Sequence, residues 1–103
     1  MRLPLPSPPR ARPVLKLPEA LTQMDATACL NQLGSALLAE PLAVVVDASA
    51  LLRFDSSALA VLLALRRQAL TLRKTFAIQG LPERLGDLAR LYGIGELLTA
   101  PTA

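Results

Sequence analysis

The sequence predicts one α/β domain, a small, mostly parallel mixed β-sheet covered by helices, in the order β-β-α-β-α-β-α-β. Three observations predict it. The run Leu42–Asp47 is continuous, apolar and holds three valines, which suits a central strand of a parallel sheet buried on both faces. Leucine-rich segments with helical spacing stand on either side of it, from Asp25 to Ala39 and from Asp55 to Arg73. A second strand-like run, Thr75–Gln79, follows the second helix, and Gly80 leads out of it.

The elements follow in chain order. Residues 1–13 hold five of the nine prolines together with Arg2, Arg10 and Arg12 and no acid, so they are expected to be a disordered, solvated tail before a domain spanning 14–103. Val14–Leu17 and Ala20–Gln23 are short strand candidates, with Pro18–Glu19 between them as a break or a tight hairpin. Asp25 is placed to cap the first helix with its carboxylate. Leu30, Leu33, Leu37 and Leu38 recur along that helix, and Glu40–Pro41 ends it because proline disfavours the α conformation in the residue before it. Ala48–Phe54 reads as a loop, and Asp55–Ser56–Ser57 opens the second helix. Pro82 suits the first position of a third helix, with Leu85, Leu88, Ala89 and Tyr92 on one face. Gly93 supplies its left-handed stop and Ile94 the hydrophobic partner of that stop. Leu97–Thr99 is expected to be a last edge strand.

Composition excludes several function classes. The net charge of +3 resides in the tail, because from Val14 onward eight basic and eight acidic side chains balance. Nucleic-acid binding through phosphates needs a concentrated basic patch, and only three aromatics (Phe54, Phe76, Tyr92) are present for base stacking, so no nucleic-acid partner is expected. With no histidine and a single cysteine, Cys29, neither an internal disulfide, nor an imidazole- or thiolate-built metal site, nor a Ser–His–Asp or Cys–His arrangement is available. Gly34, Gly80, Gly86, Gly93 and Gly95 form no phosphate-cradling loop. The chain is therefore expected to be no enzyme and to need no cofactor. Arg2 followed by prolines is not a secretory signal, and no stretch reaches the ~20 apolar residues of a membrane span, so the chain reads as cytoplasmic.

The second helix carries the candidate site. Ala58–Leu65 is eight apolar residues in a row, more than one helix face requires. At 3.6 residues per turn, Leu59, Leu62, Leu63 and Leu70 share the side assigned to the sheet. Ser57, Ala60, Val61, Ala64, Arg67, Gln68 and Thr71 fall opposite, and the stripe of Ala60, Val61 and Ala64 is low enough for another helix or domain to approach. Ser56 reads as the N-cap of this helix, alone or with a partner contact; Asp55 braces the loop, and Asp47 is a loop anchor rather than a metal ligand.

Three local patterns now resemble one family. Leu17-Pro18-Glu19-Ala20-Leu21-Thr22 before a helix resembles the opening hairpin of STAS domains, with Glu19 where that hairpin usually turns on glycine. Asp47-Ala48-Ser49 followed by Phe54-Asp55-Ser56-Ser57-Ala58-Leu59-Ala60 is similar to the family's strand–loop–helix signature, with Ala58 in place of its glycine. Leu88-Ala89-Arg90-Leu91-Tyr92-Gly93-Ile94 is the third, and together the patterns cover residues 14–99. The resemblance implies a STAS fold and one of two branches. The MlaB-like branch, favoured by the last pattern, by Ala58 and by the short C-terminus, is a non-enzymatic adaptor that binds the ATPase of an MlaFEDB-like ABC phospholipid transporter, in a complex with a permease and a substrate-binding protein. It lies peripheral to the inner membrane only through that complex and serves outer-membrane lipid asymmetry. The other branch, anti-sigma factor antagonists, implies phosphorylation of Ser56. The expected contacts are Ser56, Ser57, Ala60, Val61, Ala64 and Arg67.

Overall fold

The computed structural model describes residues 14–40 and 42–99; the expected tail, 1–13, lies outside the described residues. The elements are β1 (Val14–Lys16), β2 (Ala20–Leu21), α1 (Ala26–Ala39), β3 (Ala43–Asp47), β4 (Arg53–Phe54), α2 (Ser56–Thr71), β5 (Thr75–Gln79), α3 (Glu83–Leu91) and α4 (Gly95–Thr99).

The valine run forms the centre of the fold. β3 lies between β1 and β5 in a three-stranded sheet, parallel to both, with Val14 opposite Val45 and Val44 opposite Phe76. Parallel neighbours need a crossover between them. α1 supplies it between β1 and β3, and α2 between β3 and β5. Val44, Val45 and Val46 are all buried, as a strand covered on both faces requires. Val44 and Val46 join Leu15, Leu37, Leu62, Leu65, Phe76 and Leu85 in the core. Full burial of each such side chain contributes about 1.5–3 kcal/mol.

α1 and α2 meet where Gln68 donates from Nε2 to the carbonyl of Gly34 at 2.8 Å. A Cβ on Gly34 would lie 3.0 Å from the Gln68 amide oxygen, so glycine permits the close approach of the helices. α2 ends at Arg73, whose φ of +59° is left-handed backbone on a non-glycine residue. The turn presents Lys74 to the end of α1, where its Nζ donates to the carbonyls of Leu37, Leu38 and Glu40. A cation at a helix C-terminus satisfies carbonyls left over by the helix and meets the negative end of its dipole.

Several details differ from the sequence expectation. Pro18–Glu19 is a break and not a hairpin: β1 joins the main sheet, whereas β2 pairs with β4 in a separate two-stranded parallel ladder. β4 lies inside the segment expected to be loop, held by bonds from the N–H groups of Leu52 and Arg53 to the Glu19 carbonyl. Every strand pair among the described residues is parallel, so that part of the sheet is not mixed. Leu97–Thr99 belongs to helix α4 and not to an edge strand; a single turn buries Leu98 in the core and leaves Leu97 outside. Pro82 precedes α3 as its cap residue, with extended backbone. Tyr92 stands at the C-cap and is exposed, off the face formed by Leu85 and Ala89. Gly93 does take left-handed backbone, φ +75°, and Ile94 donates back to the Ala89 carbonyl while packing on the core. Asp25 occupies the cap position of α1, but its carboxylate turns back to accept from the N–H and hydroxyl of Thr22.

Candidate functional site

The start of α2 is built by Asp55. Its backbone is extended, so its side chain can reach forward, and the carboxylate accepts from the Ser57 N–H at 2.8 Å. Its second oxygen accepts from the Gln23 N–H at 3.1 Å. The N-cap is therefore Asp55 and not Ser56, which becomes the first helical residue and stands exposed. The Ser57 N–H first, and then that of Gln23, hold the Asp55 carboxyl below its ordinary pKa.

The loop before this helix is fixed at its root in the same way. Asp47 accepts from the Ser49 N–H at 2.9 Å, and the hydrogen bonds of Ser49 lower its carboxyl pKa. Asp47 is thus the loop anchor that its position suggested. Gly80, with φ +70°, passes so close that a Cβ there would lie 2.8 Å from that of Ser49. The carboxylates of the Asp-x-Ser and Asp-Ser-Ser segments are both taken up by backbone donors, which gives them a structural role in presenting the helix.

On α2 itself the accessible face is Ser56, Ala60, Arg67 and Leu70, with Leu63 and Ala64 half-buried along it and Ser57 half-buried at its margin. Val61 does not belong to it. Only 2 % of Val61 is exposed, and it lies in the core with Ala58, Leu59, Leu62, Leu65 and Ala69. The physical reason is that α2 packs on α1 as well as on the sheet, with α3 and α4 also against it, so its buried arc is wider than one face and sweeps round to Val61. Conversely Leu63 and Leu70, which the helical spacing assigned to the sheet, border the accessible side. Of the expected contacts, the structure places Ser56, Ala60, Ala64 and Arg67 on one face and Ser57 beside it.

Sequence reasoning missed the apolar residues around this face. Met24 is 94 % exposed in the turn that Asp55 holds, and Leu52 is 66 % exposed in the loop that leads into the helix. Leu51, its neighbour, is buried. Two adjacent leucines in a segment too short for any periodicity leave no signal for which one points outward. At the other end of the helix, Leu63, Arg66, Arg67, Leu70 and Thr71 border an open groove with Leu97 of α4. The misassigned strand at Leu97–Thr99 concealed that wall.

Among the described residues, no group of three or more His, Cys, Asp or Glu side chains is placed to hold a metal ion. No helix there is long and apolar enough to cross a membrane. A family model described as "Mlab, STAS domain" matches residues 7–99. No curated protein matches the chain.

Proposed function

The chain belongs to the STAS domain family, and we propose that it is a non-catalytic adaptor that docks through α2 onto the ATPase subunit of an MlaFEDB-like ABC phospholipid transporter, beside a permease and a substrate-binding protein. The description of the matching family favours this branch. The observation that carries the reading is the accessible face of α2: Ser56, Ala60 and Ala64 make it low, and Leu63 and Arg67 follow along the same line. A helix of 16 residues is about 24 Å long, which is narrow for a stable interface of ~800 Å² per partner. Exposed apolar residues also stand in the segments near the helix start, Met24 in the turn that Asp55 holds and Leu52 in the preceding loop. Nucleotide turnover belongs to the ATPase in this reading, and the chain reaches the inner membrane only through the complex.

The test is co-purification with the ATPase subunit of such a transporter from the same host. Ala60→Glu places an unpaired charge where the partner would desolvate it, and is expected to release the ATPase while leaving the thermal melt unchanged. Asn31→Glu, on the exposed side of α1, is expected to retain it. Undiminished co-purification of the Ala60→Glu variant would overturn the assignment of this face. Val61 variants are unsuitable, since a buried substitution changes folding as well as binding.

The exposure of Ser56 favours a second reading, an anti-sigma factor antagonist switched by phosphorylation. The positive end of the helix would accept a phosphate, whereas the ionised Asp55 beside it opposes one. A species heavier by about 80 Da (one added phosphate group) in intact protein from the native host, absent from Ser56→Ala, would establish this reading over the first.

A further inference from the structure

The docking face does not end with the small residues of α2. In the C-terminal half of the helix, Leu63, Arg66, Arg67, Leu70 and Thr71 form one side of an open groove and Leu97 of α4 forms the other. Its lining is largely apolar: Leu70 and Leu97 are 39 % and 41 % exposed, and Leu63 is half-buried. Its charge is of one sign, with two guanidiniums and no carboxylate among the lining residues. Glu96 faces a different depression, with Arg90, Gly93 and Gly95. The Nε of Arg66 is buried with no hydrogen-bond partner, so only the terminal nitrogens of its guanidinium are left to meet an acceptor in the groove.

We propose that this groove receives a partner helix carrying leucine-class side chains flanked by Asp or Glu. The leucines would cover Leu63, Leu70 and Leu97, and the carboxylates would meet Arg66 and Arg67, whose planar fork matches a carboxylate with two hydrogen bonds. The inference rests on the reading of α2 as a docking helix and adds the chemistry of what docks at its second half. An anionic lipid surface would satisfy the guanidiniums but would approach as a plane; the three leucines line an open groove shared by two helices, which fits side chains carried on a narrow element.

The test uses the full chain and two model peptides. Each is a helix of about 16 residues, long enough to be helical in part, with leucines at i, i+3, i+4 and i+7; one has glutamates beside them and the other lysines. The glutamate peptide is expected to shift the amide resonances of Leu63, Leu70 and Leu97, and to bind about tenfold or more tightly than the lysine peptide. Arg67→Glu, an exposed position, is expected to remove that preference, and Leu70→Asp to abolish binding, both with native melting profiles. Equal binding of the two peptides, or shifts confined to other surfaces, would overturn the proposal. So would sedimentation as a dimer that buries these residues, or tighter binding to vesicles of anionic phospholipid than to the glutamate peptide. The peptides contain nothing of the ATPase, so their binding is scored separately from the co-purification of Ala60→Glu.

Discussion

The carboxylate of Asp55 holds the backbone N–H of Gln23, 32 residues earlier, at 3.1 Å. Its other oxygen holds the N–H of Ser57 at 2.8 Å. One side chain thus caps α2 and ties the turn after β2 to the helix start. The acidic residue of the Asp-Ser-Ser segment has a long-range architectural role in addition to the local one.

Replacing Asp55 separates the two roles. Asp55→Asn keeps one acceptor oxygen and replaces the other with a donor. It is expected to retain slow hydrogen exchange at the Ser57 amide and to accelerate exchange at Gln23. Asp55→Ala is expected to accelerate both and to lower the melting temperature. Equal protection at Gln23 in all three proteins would show that the long-range bond contributes nothing.

Acid stability follows from Asp47 and Asp55 together. Both carboxyls titrate below the ordinary value of 3.8 in the folded chain, Asp47 through the hydrogen bonds of Ser49 and Asp55 through the N–H groups of Ser57 and Gln23. The unfolded chain therefore takes up protons first as the pH falls. The stabilisation is complete above the unfolded carboxyl pKa and is lost as pH drops through the folded values. Urea midpoints are expected to be insensitive to these two groups from pH 7 to about 5 and to decline below about pH 4. The double variant Asp47→Asn, Asp55→Asn is expected to decline less steeply in acid, and an identical slope would refute the assignment.

Two glycines with left-handed backbone differ in their surroundings. A Cβ on Gly93 meets nothing within 4 Å, so Gly93→Ala costs only the conformational term of about 1–2 kcal/mol. Gly80→Ala adds a collision with Ser49 at 2.8 Å and is expected to cost distinctly more, about 3 kcal/mol. Equilibrium unfolding of the two variants orders them; an equal loss would mean that the Ser49 loop yields freely.

Lys74 caps a helix that it does not belong to, with its Nζ 2.9 Å from the Leu37 carbonyl. Lys74→Met keeps the apolar stem and removes the cation, and is expected to cost about 1–2 kcal/mol in urea unfolding. A change within about 0.5 kcal/mol, the range of ordinary surface substitutions, would discount the cap.

The parts of the fold legible in the sequence are those where one physical signal dominates. Leu42–Asp47 has no polar residue before its end, and Thr75–Gln79 is bounded by a turn and a glycine, so β3 and β5 stand out. The face of α2 was only half legible. Ala58–Leu65 contains no polar residue to mark an outward direction, and packing on α1 as well as on the sheet widened the buried arc onto Val61. β4 is two residues long and is held by backbone bonds to Glu19, which no side-chain pattern encodes. In α4, Leu97 is exposed and Leu98 buried, the same one-out, one-in outcome that a strand gives, so alternation could not separate the two. The signature Asp47–Ala60 pointed to the candidate site through family resemblance; the exposure of Met24, Leu52 and Leu97 depends on tertiary placement.

The central position of β3 also sets an order of events during synthesis. Its partner β1 precedes it, but β5 is made some thirty residues later, after the whole of α2. Until then the three valines have one edge unpaired, and the crossover helix that covers them is itself incomplete. A nascent chain in that interval presents an open, β-branched edge, the kind of surface on which chains associate with one another. Slow translation between residues 48 and 75 would lengthen this exposed interval, and a chaperone acting on the emerging chain would be needed most there.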